Sequence, residues 1–230
     1  MPGTVLITGG TGGLGTAVTA RFLEEGWRVV VPVHGDPAPP VGQLRPGLHL
    51  VSADLMDAGS VAECVALAAA EPQVPLSAVV NLVGGFAQGG RVHETPVEDF
   101  EAQLRLNLRP AYLTCHAAIP HLMAAGGGAI VCVSSRAALR AFAGAAGYVT
   151  SKAAVLAFVD ALAAEYTGDG IRVNAILPSV IDTPANRAAQ PDADHSRWVS
   201  PEQIAATVHF LCGPDSTAVG GAHIPVYGRA

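Results

Sequence analysis

Charge is scarce in this chain, and cysteine and aromatic residues are scarcer still. Only 14% of the 230 residues are charged, the net charge is −6, and aromatics make up 5%. No run of basic residues occurs, so nucleic acid is not an expected partner. The four cysteines, Cys64, Cys115, Cys132 and Cys212, lie far apart and form no Cys-x-x-Cys pair. They read as buried free thiols in a reducing compartment. The eight histidines are scattered, with no His-Glu-x-x-His, so no metal site is expected. Gly, Pro or polar residues interrupt every apolar stretch short of the ~20 residues needed to span a membrane. Met-Pro-Gly leads directly into strand-like residues, with none of the features of a signal peptide. The expected setting is cytoplasmic, with no membrane partner.

Half of the residues are hydrophobic, mostly Ala, Val and Leu. That composition suits helices packed closely on a sheet. Short β-like runs alternate with longer helical ones. Strands are expected at 4–8, 28–33, 48–52, 78–83, 129–134, 172–177 and 223–226. Helices are expected at 13–25, 57–70, 97–125, 145–166 and 201–211. Pro110 and Pro120 would bend the long third helix or mark turns in it. The stretch 178–200 is polar and punctuated by proline. Strands that are apolar on both faces and alternate with helices predict an α/β fold, a doubly wound parallel sheet of about seven strands with helices on both faces. No linker or repeat is visible, so residues 1–230 read as one domain.

Two patterns carry chemistry. The first strand runs into Thr8-Gly9-Gly10-Thr11-Gly12-Gly13-Leu14-Gly15. Glycines let the backbone turn sharply and approach a ligand closely. The helix that follows presents free N–H groups and the positive end of its dipole, which suits a pyrophosphate. Strand, glycine turn and helix at the head of an α/β pattern form the context a dinucleotide fingerprint requires. The second pattern is Tyr148-Val-Thr-Ser-Lys152, with Ser135 thirteen positions before the tyrosine. Residues four apart share one helix face. A cation beside a phenol lowers its pKa, so Lys152 is expected to acidify Tyr148 for proton exchange with a carbonyl or alcohol oxygen. The Ser135 hydroxyl would hold that oxygen.

These motifs, taken in order with Asp54-Leu55, Asn81-Leu82-Val83-Gly84-Gly85, Asn107, Ser134-Ser135 and Pro178-Ser179-Val180-Ile181-Asp182-Thr183, resemble the short-chain dehydrogenase/reductase family over nearly the whole chain. The resemblance implies a Rossmann fold and an NAD(P)-dependent oxidoreductase that interconverts a ketone and a secondary alcohol. It implies Tyr148 as general acid/base. Lys152 would tune the phenol and bond the nicotinamide ribose, Ser135 would orient the substrate, and Asn107 would hold a water in a proton relay. Gly9, Thr11, Gly13, Leu14 and Gly15 would meet the pyrophosphate, Asp54 and Leu55 the adenine, and Asn81 and Gly84 the adenosine groove. Pro178, Ile181 and Thr183 would meet the nicotinamide. Asp54 could instead cap a turn, and Asn107 could bond to backbone inside its helix. Between NAD and NADP the residues are divided: Asp36 could reach a ribose diol, whereas His34 could meet a phosphate, and the balance tips slightly to NADP. The family also implies a small-molecule substrate and a homodimer or homotetramer, with the helices from Val97 and Ala145 as candidate interface.

The segment 182–200 reads as a short lid. It resembles the same segment of dihydropteridine reductases, which leaves pterin reduction as an alternative. A dinucleotide-binding sensor without turnover is another. Ser135 favours a carbonyl or alcohol. Phe86, Arg136, Leu139, Phe142, Asn186 and Trp198 are candidate pocket residues, and Arg136, Arg140 and Arg187 are candidate anion contacts.

Overall fold

In the computed structural model, residues 2–35 and 45–229 are described here. Asp36, named above for the ribose, lies outside them. Seven strands form one parallel sheet in the order β3-β2-β1-β4-β5-β6-β7. They are β1 (Thr4–Thr8), β2 (Arg28–Val33), β3 (Leu48–Ser52), β4 (Leu76–Asn81), β5 (Gly128–Val133), β6 (Ile171–Pro178) and β7 (His223–Val226). The helices are α1 (Gly15–Glu24), α2 (Ala58–Ala69), α3 (Val97–Ala124), α4 (Ala146–Tyr166), α5 (Pro184–Ala189) and α6 (Pro201–Cys212).

The sheet is buried because each strand carries apolar residues at both parities of its two-residue period. Leu6, Val30, Val79, Ile130 and Val173 face one core, against Val61 and Val65 of α2, Leu122 of α3 and Val159 of α4. Val5, Val29, Val31, Val80 and Val131 face the other, against Phe22 of α1 and Ile204, Val208 and Leu211 of α6. Phe22 meets Trp27 edge-on with centroids 5.2 Å apart. Burial of each such side chain contributes roughly 1.5–3 kcal/mol.

Local chemistry sets the helix ends. Ser200 and Gln203 form a capping box at α6, with Pro201 in its first turn. Asp57 accepts from the Ser60 amide, 2.7 Å away, at the start of α2. The stretch 178–200 holds α5, which is capped by Thr183 and opens on Pro184. β4 begins two residues earlier than its apolar run indicates, because Leu76 pairs with Thr4 across the sheet. Helix α3 runs through both Pro110 and Pro120 without ending. It stops at Gly126 and Gly127, whose φ of +86° and +122° suit glycine. The stretch Ala146–Asp169, α4 with the turn after it, is long and apolar enough to cross a membrane by length and composition. Here Val155, Val159 and Leu162 of α4 pack into the core beneath the sheet.

Candidate active site

The order β3-β2-β1-β4 makes the chain reverse direction beside β1, so a crevice opens at the C-terminal ends of β1 and β4. The glycine turn sits there. Gly9 takes φ +71°, and Gly12 donates to the Gly9 carbonyl over 3.0 Å. A Cβ on Gly15 would lie 2.7 Å from the backbone of Gly10, so turn and helix meet where only glycine fits. Thr11, Gly12 and Gly13 are exposed. Helix α1 has no side-chain cap and no acidic residue in its first turn. No side chain therefore competes with an anion there, although the Thr16 amide already donates to the Gly12 carbonyl over 2.9 Å. Leu14 is half-buried at the helix start. Across the crevice, the Thr183 side chain lies 3.1 Å from where a Cβ on Gly13 would stand. Uncapped donors beside exposed backbone fit a dinucleotide pyrophosphate.

The candidate reacting groups stand just after β5 and in the first two turns of α4. Ser135 follows β5, and its hydroxyl accepts from the Ala137 amide over 3.1 Å. Tyr148 is half-buried on the first turn of α4. Burial raises its pKa, and hydrogen bonding with the Ser135 hydroxyl opposes that rise. Phe86 meets the Tyr148 ring edge-on, 5.0 Å between centroids. Lys152, 5% exposed, donates to the Val133 carbonyl over 3.1 Å. Burial lowers its pKa to about 8, partly offset by the nearby Cys132 thiol. Ser134 donates to the Lys152 carbonyl over 2.7 Å, which ties β5 to α4 and leaves Ser135 as the serine facing the phenol.

Several expectations need correction. Tyr148 is not acidified here: its pKa is raised, because burial is the larger effect and the Lys152 amine is directed at Val133. The Asn107 amide is bonded to backbone. It accepts from the Gly85 amide at 3.0 Å and donates to the Gly85 and Gln103 carbonyls, each at 3.1 Å. It therefore braces the chain after β4, and its side chain is not free to hold a relay water. A Cβ on Gly84 would lie 2.6 Å from Asn107 Oδ1 and 2.9 Å from Lys152 Nζ, so Gly84 is the gap between them. The Asn81 side chain faces the core, not the adenosine groove. Its Nδ2 reaches Cys115 Sγ at 3.4 Å and Cys132 Sγ at 3.6 Å. Asp54 caps its own turn, accepting from the Met56 amide over 2.8 Å, and Leu55 packs against the core.

The remaining residues are spread around the rim. His34 is exposed after β2. Pro178 ends β6, and Ile181 bridges to Val199. Arg187 forks onto Asp182, with Nη2 to Oδ2 at 2.8 Å, and so is spent. Asn186 donates to the Ile181 carbonyl, and Trp198 lies against His195. Arg136 rests over the Tyr227 ring, 5.2 Å from its centroid. Tyr227 was absent from the sequence-based site. It carries no motif, and only the fold brings it there.

Comparison with known proteins gives the family. A family model described as enoyl-(acyl carrier protein) reductase matches residues 9–228. The chain belongs to the short-chain dehydrogenase/reductase family. It is an oxidoreductase of that family, whose members act on alcohol or carbonyl substrates. It is 35% identical, over 99% of its length and 98% of the relative's, to the 2-(R)-hydroxypropyl-CoM dehydrogenase of Xanthobacter autotrophicus. A short-chain dehydrogenase/reductase structure from Mycobacterium ulcerans superposes with a TM-score of 0.90 at 25% identity, covering 99% of this chain and 89% of that one. ElxO with NADP bound shares the fold at a TM-score of 0.91 and 23% identity, covering 99% and 98%.

Proposed function

We propose that this enzyme interconverts a ketone and a secondary alcohol, with Tyr148 moving the proton at the substrate oxygen. The observation that carries this reading is the convergence of Tyr148, Ser135 and buried Lys152 beside an exposed glycine turn with an uncapped helix. A nicotinamide dinucleotide, when bound, supplies or accepts the hydride. Gly9 to Gly15 of the turn would hold its pyrophosphate, and Ile181 and Thr183 would stand beside its other end. The Ser135 hydroxyl orients the carbonyl oxygen. Tyr148, kept protonated at neutral pH by its raised pKa, donates to that oxygen during reduction and receives the proton back during oxidation. Lys152 stands one helical turn from Tyr148 on α4 and supplies the only ammonium of this cluster. The 2-hydroxypropyl group in the name of the Xanthobacter relative is itself a secondary alcohol.

NADP is the preferred cofactor in this reading, because exposed His34 directly follows the second strand, where a ribose phosphate would lie. The enzyme is taken to act as a homo-oligomer. Exposed Tyr112 of α3 stacks on His116 and leans on Phe158 of α4, which offers an apolar face for a second copy.

Tyr148→Phe tests the central role. It should bind the dinucleotide as wild type does in a fluorescence titration with NADH and NADPH. Its turnover should fall by roughly a hundredfold or more. Near-normal turnover would remove Tyr148 from the mechanism, and tighter binding of NADH would reverse the cofactor preference.

A further inference from the structure

We infer that Phe86 and Phe142 form a substrate subsite, and that the ketone or alcohol presented to Tyr148 carries an apolar ring. This deepens, and rests on, the assignment of Tyr148 as the proton-transfer group.

Phe86 is 60% and Phe142 44% exposed, yet their rings lie only 6.3 Å apart. Phe86 also stands edge-on to the Tyr148 ring. Large apolar side chains left open side by side mark a surface that something else covers. These rings continue directly from the reacting phenol, so the covering group is attached to the reacting carbon.

The shelf is held in place before any ligand arrives. Gly89 donates to the Gly144 carbonyl over 2.7 Å, and the Gln88 amide donates to the Ala143 carbonyl over 3.3 Å. These bonds join the loop carrying Phe86 to the loop carrying Phe142. Gly144 closes the second loop at φ +78°. At the other end, Asn107 grips Gly85, the residue before Phe86. A surface ordered in advance binds with less entropy to lose.

Four polar side chains of the site are engaged elsewhere, while exposed Arg140, two residues before Phe142, has no side-chain hydrogen bond or ion pair among the described residues. Gln88 is bonded to Ala143, Asn186 to Ile181, and Arg187 to Asp182. Arg136 is held over Tyr227. A polyhydroxylated substrate would exchange hydration for unpaired hydroxyls on this shelf, which disfavours it. An apolar ring gains by packing on the two phenylalanines.

The test is a panel of matched ketones with the wild-type enzyme and its preferred dinucleotide. Acetophenone and cyclohexanone should show kcat/KM at least about tenfold above hydroxyacetone and dihydroxyacetone. Phe86→Ala and Phe142→Ala should each raise KM for acetophenone by roughly fivefold or more, and by a clearly smaller factor for hydroxyacetone. Phe86→Tyr keeps a ring and should restore the acetophenone KM. Both rings are half-open to solvent, so the alanine variants should keep the wild-type thermal midpoint. Preference for the hydroxylated ketones, or equal KM changes for both classes, would overturn the subsite while leaving Tyr148 in place. Turnover of all four ketones that survives in Tyr148→Phe would overturn the assignment on which the subsite rests.

Discussion

An ammonium closed off from water is costly, and Lys152 bears that cost at the centre of the site. Its pKa in the folded chain falls to about 8 from the usual 10.5. The unfolded chain therefore holds this proton more tightly between those two values. Stability contributed by Lys152 rises with pH across that window and is flat below it. Lys152→Met should thus be the more stable protein at pH 7, and its advantage should shrink by on the order of 2–3 kcal/mol by pH 10.5. Urea unfolding of both proteins at the two pH values measures this. An advantage independent of pH would show that the amine keeps an ordinary pKa. Tyr148 sets a second pH dependence. Because its pKa is raised, alcohol oxidation, which needs the phenolate, should keep climbing through pH 9, whereas ketone reduction should stay level from pH 6 to 8. An oxidation profile flat above pH 7 would mean that another group takes the proton. Gly84 makes a third point at this scale: Gly84→Ala places a methyl against Lys152 Nζ and should reduce turnover without unfolding the chain.

Between elements, the turn after β7 ties together three parts of the site. Ser179 donates to the Tyr227 carbonyl over 2.7 Å, Arg229 donates to the Arg197 carbonyl over 3.1 Å, and the Tyr227 ring supports Arg136, the neighbour of Ser135. Gly228, at φ +66°, lies so close to Trp198 that a Cβ would stand 3.1 Å from its carbonyl. Tyr227→Ala should therefore raise KM for substrate by several-fold while kcat changes less, and Tyr227→Phe, which keeps the ring, should behave as wild type. Alike behaviour of the two variants would show that the ring does not position the site. None of this was legible in the sequence, because a turn of Tyr, Gly and Arg carries no motif. The elements themselves were legible. β1, β2, β3 and β7 lie where apolar runs end at turn residues, α6 follows its helical period, and α4 follows its alanine-rich composition. α5 was missed although Thr183 and Pro184 spell a helix start, since only six residues follow and no apolar period develops.

At the scale of the whole molecule, the sheet order decides where chemistry occurs. The reversal beside β1 puts the glycine turn, the ends of β5 and β6, and the start of α4 around one crevice. Gly15→Ala would push α1 off that crevice, since its methyl would meet the Gly10 backbone. The expected result is a retained fold by circular dichroism with weakened dinucleotide binding. Wild-type affinity in this variant would place the cofactor elsewhere. The exposed Tyr112–Phe158 face predicts self-association in sedimentation, and a monomer at micromolar concentration would remove that proposal.

The sequence by itself determined the α/β class, the parallel sheet, the glycine turn and the spacing of Ser135, Tyr148 and Lys152, because each follows from the order of apolar runs or from fixed spacing. It also named Asn81 and Asn107 as site residues without knowing which way they face. Only the tertiary structure decided that. Packing turned Asn81 onto Cys115 and Cys132, fastened Asn107 to Gly85, and raised the Tyr148 pKa that local spacing predicted would fall. Side-chain direction and desolvation depend on neighbours distant in the chain, and no spacing rule encodes them.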